Sequence, residues 1–209
     1  MKIVFLGTNG WYDTKTGNTT CILIETKREF VILDAGGGFY KIDRYIRTRK
    51  PVYLFLSHFH LDHIIGLHTL AKFNFLQGMD IYIPKGTEKI FTTIINNPYT
   101  MPIRQLKTGI RLNELNKKSN VPVNVEFRKL KHFSLCYGFR FTLEGKTISY
   151  CPDTGICKNL LLLAKNADLL VTECSYKSGK QDENWPHLNP ESAARVARDS
   201  GAKKLALIH

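Results

Sequence analysis

The chain has 209 residues, 43% hydrophobic and 23% charged, which suits one soluble α/β-sized domain and offers no run near the ~18 apolar residues of a membrane span. The opening MKIVFLGTNG carries only a four-residue apolar run, so no signal-peptide core is expected and a cytoplasmic location without membrane association is. Five scattered cysteines (Cys21, Cys136, Cys151, Cys157, Cys174) form no C-x-x-C, against a disulfide framework or cysteine-rich zinc site, and a net charge of +12 suits phosphates or nucleic acid as well as a solubilising surface.

In chain order, Ile3 to Leu6 reads as a strand ending at Gly7, followed by a polar loop through Gly17. Cys21 to Ile24 and Phe30 to Leu33 are β-rich runs separated by the charged turn Thr26 to Glu29. Phe39, Ile42, Tyr45 and Ile46 recur at helical spacing, predicting a helix over 38–49 closed by Pro51. Val52 to Leu56 is continuously apolar, as a strand buried on both faces would be. A short helix is expected after His63, a strand at Ile81 to Ile83, a helix carrying Ile90, Ile94 and Ile95, and loop over 96–104.

Strands Val123 to Leu130, Phe139 to Leu143 and Thr147 to Tyr150 come next, the last two joined by Glu144-Gly145. A helix holds Leu160 to Leu163, a strand Leu169 to Thr172, and Lys204 to Ile208 closes the chain as a strand. Between these, Pro190 to Ser200 reads as a helix with Asn189 as N-cap, Pro190 in its first turn and Gly201 past its end. No repeat or linker interrupts the mixture, so one domain over residues 1–209 is expected. The basic residues spread over Lys41 to Lys50, Lys117-Lys118, Arg128 to Lys131 and Lys203-Lys204, and name no partner alone.

Six residues after the buried strand, His58-Phe59-His60-Leu61-Asp62-His63, hold three of the seven histidines and a carboxylate. Extended backbone would point His58 and His60 the same way, with Asp62 and His63 turning back. Neutral imidazoles and a carboxylate are what a zinc-like ion requires. Further donors must come from elsewhere, and His132, Asp153, His187 and His209 stand at strand ends or loops, whereas His68 reads as an ordinary helix residue.

SHFHLDH resembles the H-x-H-x-D-H signature of the metallo-β-lactamase superfamily, and the downstream order His, Asp, His is similar to its remaining ligands. Leu33-Asp34-Ala35-Gly36 resembles the family's D-x-G strand end. Leu6-Gly7-Thr8 and Ala167-Asp168-Leu169-Leu170 resemble the ribonuclease Z and compact cyclic-phosphodiesterase branch. The resemblance implies a four-layer αββα sandwich with metals at the sheet edge. It implies one metal on His58, His60 and His132, a second on Asp62, His63 and His209, and Asp153 bridging them, with Asp34 steadying the histidine loop. Related chains generally continue past this last histidine, so either a free α-carboxylate lies beside His209 or a short tail follows it.

Two divalent ions ~3.5–4 Å apart share a bridging hydroxide as nucleophile and neutralise charge at phosphorus. Zinc is the expected metal, with manganese, iron, cobalt or nickel tolerated by the same donors. His187, two residues before a helix N-cap, is expected to bind a phosphoryl oxygen or protonate the leaving oxygen, and it resembles the extra non-ligand histidine that the ribonuclease Z branch carries between the bridging Asp and the last ligand His. Glu173 resembles that branch's acidic position and would orient His187; Asp62 joins them as a catalytic residue. The implied activity is a phosphodiesterase on small or cyclic phosphodiesters or nucleotides. Alternatives are an RNA-processing endonuclease of ribonuclease Z type, a glyoxalase II-like thioesterase, and a basic nucleic-acid-binding module with structural metal. Oligomeric state leaves no sequence signal.

Overall fold

The most apolar runs of the sequence become the interior strands of two sheets. The computed structural model describes residues 1–116 and 119–209, so the Lys117-Lys118 charge pair lies outside the described residues. The chain forms two compact units, Met1–Ser119 and Asn120–His209.

The first unit holds a six-stranded sheet in chain order: β1 (Lys2–Gly7), β2 (Cys21–Glu25), β3 (Phe30–Leu33), β4 (Val52–Phe55), β5 (Met79–Pro84) and β6 (Ile110–Leu115). β1, β2 and β3 pair antiparallel, and β3 through β6 run parallel. Every residue of β3 and β4 is buried, as their unbroken apolar runs require. Among the described residues, two short helices, α1 (Leu61–Ile64) and α2 (Glu88–Ile94), and three 3₁₀ segments accompany the sheet. Its core gathers Leu23, Ile32, Leu54, Ile81, Phe39 and Phe73, the last two meeting edge to face at 5.4 Å.

The second unit holds five strands in the order β11-β10-β9-β8-β7: β7 (Val125–Lys129), β8 (Tyr137–Leu143), β9 (Lys146–Cys151), β10 (Leu169–Glu173) and β11 (Leu205–Ile208). β7, β8 and β9 are antiparallel, whereas β9, β10 and β11 are parallel. Helices α3 (Lys158–Ala164) and α4 (Pro190–Ser200) bury Leu160, Leu163, Ala193 and Val196 with Leu170 and Cys151. Asp168 ties the starts of these strands together, accepting from the Thr147 amide at 2.9 Å and from Lys203 Nζ at 2.9 Å.

Several sequence expectations need correction. The helix expected over 38–49 is a 3₁₀ segment, Gly37–Arg44. A side chain at Gly38 would sit 2.4 Å from the Leu6 carbonyl, so this segment lies too close to its neighbours for a bulkier start. The helix after His63 begins earlier, at Leu61, and continues as the 3₁₀ segment Ile65–Lys72. β6 was not expected, because Arg111, Asn113 and Glu114 disguise a strand paired on one side only. β7 stops at Lys129, so His132 follows the strand, beside the bridge from Gly155 N–H to the Lys131 carbonyl at 2.8 Å. The α4 caps match their signals: Asn189 and Ser192 form a reciprocal capping box, and Gly201 takes φ +70°. All five cysteines are free, and burial pushes the Cys21 and Cys151 thiols upward.

Candidate metal centre

Parallel pairing explains where the candidate donors emerge, because adjacent parallel strands end at the same sheet edge. In the first unit, β3 runs into Asp34 and β4 into Ser57 and His58. Asp34 is fully buried and adopts φ +55°, a left-handed conformation that Asp tolerates better than most residues. Its Oδ1 accepts the Ser57 amide at 2.7 Å. Its Oδ2 accepts the Ser57 hydroxyl at 2.7 Å and lies 2.7 Å from His63 Nδ1.

The proton positions follow from the carboxylate, which can only accept. The Ser57 hydroxyl donates to Asp34, so its oxygen must accept at 2.9 Å from His58 Nδ1–H. His63 likewise donates Nδ1–H to Asp34. Both imidazoles are thereby held with Nε2 as the lone-pair nitrogen, the tautomer a metal ligand needs.

The His58 ring lies 4.6 Å from that of His60 and 4.3 Å from that of His63. His58 and His63 are wholly buried. Asp62 Oδ2 stands 3.7 Å from His63 Nε2 and accepts the Trp11 amide at 2.8 Å. The Gly36 position explains the D-x-G spacing: a Cβ there would fall 2.3 Å from the Asp62 carbonyl. Only glycine lets the histidine loop approach the end of β3 so closely.

In the second unit, β9, β10 and β11 end near Asp153, Glu173 and His209. Glu173 is buried and accepts at both oxygens. Oε1 takes the Thr154 amide at 2.5 Å and lies 2.6 Å from His187 Nδ1. Oε2 takes the Ser175 hydroxyl at 2.5 Å, with the Ser175 and Leu188 amides at 3.2 Å each. Having donated its proton to Glu173, the Ser175 oxygen accepts from His209 Nδ1–H at 2.5 Å.

Asp153, His187 and His209 offer ligand atoms that lie within 4.8 Å of one another. Asp153 Oδ2 is 3.4 Å from His209 Nε2 and 4.0 Å from His132 Nε2. The His187 and His209 rings stack at 5.6 Å. The helix N-terminus beyond His187 is less open to an anion than its sequence suggests, since the Ser192 amide is taken by Asn189 Oδ1 at 2.9 Å. His68 is exposed, and its Nδ1 approaches the Ile65 carbonyl at 2.5 Å.

Each unit thus gathers buried imidazoles and carboxylates, and this donor set fits divalent cations. Crowded imidazoles resist joint protonation, carboxylates supply the compensating charge, and the Nδ1 bonds leave Nε2 for coordination. Sequence reasoning missed Ser57, Ser175 and the Trp11 amide. Ser57 adjoins the histidine motif and could have been found there; Ser175 has no such signal. Among the described residues no helix is long and apolar enough to cross a membrane.

Residues 30–209 match the family described as the beta-lactamase superfamily domain. The whole chain aligns at 25% identity with the probable metallo-hydrolase YhfI of Bacillus subtilis, over 214 residues and 86% of that protein. The crystal structure of YhfI, described as a metallo-beta-lactamase fold protein, superposes with a TM-score of 0.84 at 23% identity, covering 99% of this chain and 84% of that one. Ribonuclease Z of Bacillus velezensis is 26% identical over 274 residues, which span all of this chain and 87% of the relative. The short form of human tRNase Z superposes with a TM-score of 0.81 at 21% identity, covering 100% and 92% of the two chains. These likenesses show a metallo-β-lactamase fold.

Proposed function

The chain belongs to the β-lactamase superfamily, and on that premise we propose that it is a metal-dependent phosphodiesterase acting on small or cyclic phosphodiesters. His58, His60 and His132 would hold one divalent ion, and Asp62, His63 and His209 a second, with Asp153 serving both. Such ions supply a water acidified from ~15.7 toward ~7 and positive charge for the oxygens at phosphorus.

The observation that carries the phosphodiester reading is His187. Its Nδ1 is held by buried Glu173 at 2.6 Å, which leaves Nε2 for a substrate, and His187 groups with Asp153 and His209. Protonated at Nε2, His187 donates to a phosphoryl oxygen or to the departing ester oxygen, and the Glu173 carboxylate stabilises the charged ring during that role. Asp62, held by the Trp11 amide, keeps its carboxylate beside His63.

A small substrate is favoured by the stretch from His132 to Asp153. The hairpin of β8 and β9, turning at Glu144 and Gly145, fills most of it and leaves no room for the extended arm that, by the resemblance, long-form ribonuclease Z enzymes insert there to grip transfer RNA. The alignment lengths agree: 214 residues with YhfI but 274 with ribonuclease Z, against 209 here. The net charge of +12 and the likeness to ribonuclease Z favour the second reading, an RNA-processing endonuclease.

Catalytic efficiency on a 2′,3′-cyclic nucleotide and on a precursor transfer RNA, compared at physiological salt with zinc- or manganese-loaded protein, separates the two. The cyclic nucleotide should win. A wide margin for the RNA would replace this reading with the nuclease, and turnover of a thioester alone would reject both.

A further inference from the structure

We propose that the exposed ring pair Phe133 and Trp185, in the second unit, is a platform for a nucleobase, so that the substrate is a nucleotide and not a bare sugar phosphate; this rests on the phosphodiesterase reading above. The two rings stack with centroids 5.4 Å apart and planes 29° from parallel. Phe133 is 73% exposed and Trp185 46%, although one face of each is turned toward the other. The outer face of Phe133 therefore stays open. Neither ring belongs to the core that α3 and α4 cover, so core packing gives no reason for their size.

The pair is built in place. The Tyr176 hydroxyl donates to the Trp185 carbonyl at 2.6 Å, and Asp182 Oδ1 accepts the Trp185 amide at 3.2 Å. Pro186 is packed against Gly155, where any Cβ would lie 2.8 Å from the proline ring. The rings also adjoin the proposed phosphoryl group. Phe133 directly follows His132, the Trp185 ring is 6.3 Å from His187, and the His132 ring is 5.5 Å from His187.

A nucleobase suits this surface for three reasons. An open aromatic face recognises a flat ring by stacking, which tolerates any base. The base and phosphate of one nucleotide are joined through a single ribose, and the platform comes close enough to His187 for that span, with the Trp185 ring 6.3 Å from the His187 ring. Lys180, with Nζ 4.5 Å over the Tyr176 ring, and the chain's positive charge favour an anionic ligand over a neutral acyl chain.

The test uses the protein's own fluorescence. Trp11→Phe leaves Trp185 as the sole tryptophan. Adenosine 5′-monophosphate should quench its emission saturably, and ribose 5-phosphate should not. Adding Phe133→Ala should weaken adenosine monophosphate binding about tenfold or more, as loss of one base-stacking contact does. Equal responses to the two phosphates, or unchanged binding after Phe133→Ala, would overturn the platform.

Kinetics on adenosine 2′,3′-cyclic phosphate and on its base-free methyl riboside analogue separate the two claims. Saturable quenching without hydrolysis of either compound upholds the platform and rejects the phosphodiesterase. Hydrolysis of both with equal KM upholds the phosphodiesterase and rejects the platform. A lower KM for the nucleotide, lost in Phe133→Ala without loss of kcat, is the result expected.

Discussion

The two units solve the same positioning problem with the same chemistry and opposite sequence logistics. In each, a buried carboxylate at a strand end accepts directly from one imidazole Nδ1 and, through a serine hydroxyl, from a second. Asp34 holds His63 directly and His58 through Ser57. Glu173 holds His187 directly and His209 through Ser175. The first unit draws its candidate site residues from one junction after β4, whereas the second collects them from the ends of β9, β10 and β11 and from loops near residues 132 and 187. A shared hydrogen-bond pattern therefore does not require a shared sequence motif, only strand ends brought to one edge by parallel pairing.

The largest effect should come where the parallel is functional and not structural. His187→Ala should lower kcat about 10²–10⁴-fold with zinc content and unfolding midpoint unchanged. Loss of zinc in that variant would make His187 a ligand, the true counterpart of His63, and remove its proton-transfer role.

Asp34→Ala tests the structural side. It strips the acceptor from the Ser57 amide, the Ser57 hydroxyl and His63 Nδ1, all buried. Urea unfolding of the metal-free protein should show a loss on the order of 3 kcal/mol. An unchanged midpoint would mean that the carboxylate is not what holds the loop.

The two serines sharpen the comparison further. Ser57→Ala and Ser175→Ala each remove the hydroxyl between a carboxylate and an imidazole, and such supporting groups are worth roughly 10–100-fold in metal affinity. Ser57 is wholly buried and Ser175 is exposed, so water can replace the second hydroxyl and not the first. Zinc titration should find the larger loss in Ser57→Ala; the reverse order would break the solvent argument.

The first half of this pattern was legible in the sequence and the second only in pieces. The histidine motif, Asp34 and the α4 caps are local: their residues touch near neighbours in the chain, so spacing carries the information. His132, Asp153, Glu173 and His209 could be nominated only as polar residues at strand ends, with roles supplied by resemblance. Ser175 could not be found at all, because its partners Glu173, His187 and His209 meet only through the parallel order of β9, β10 and β11. The missed β6 and the shortened 38–49 helix both reflect tertiary contacts, strand pairing in one case and glycine-dependent close approach in the other.

The smallest effect concerns Asp168, which lies away from the candidate donors. The Thr147 amide first, and then Lys203, hold its carboxyl down to about 2 from the usual 3.8. A lowered folded-state value makes its contribution present above pH ~4 and lost as pH falls toward 2. The stability gap between wild type and Asp168→Asn, read by urea midpoints, should therefore shrink from pH 5 to pH 2.5, modestly because Lys203 and Lys146 are exposed. A gap independent of pH would assign its role to the amide contact alone.

The central claim is that the chain holds two metal ions. Elemental analysis after equilibrium dialysis against zinc and, separately, manganese tests it most directly. Two ions per chain in wild type, falling toward one in His209→Ala, is the expected result. A ceiling of one ion under saturating metal, unchanged in His209→Ala, would contradict it.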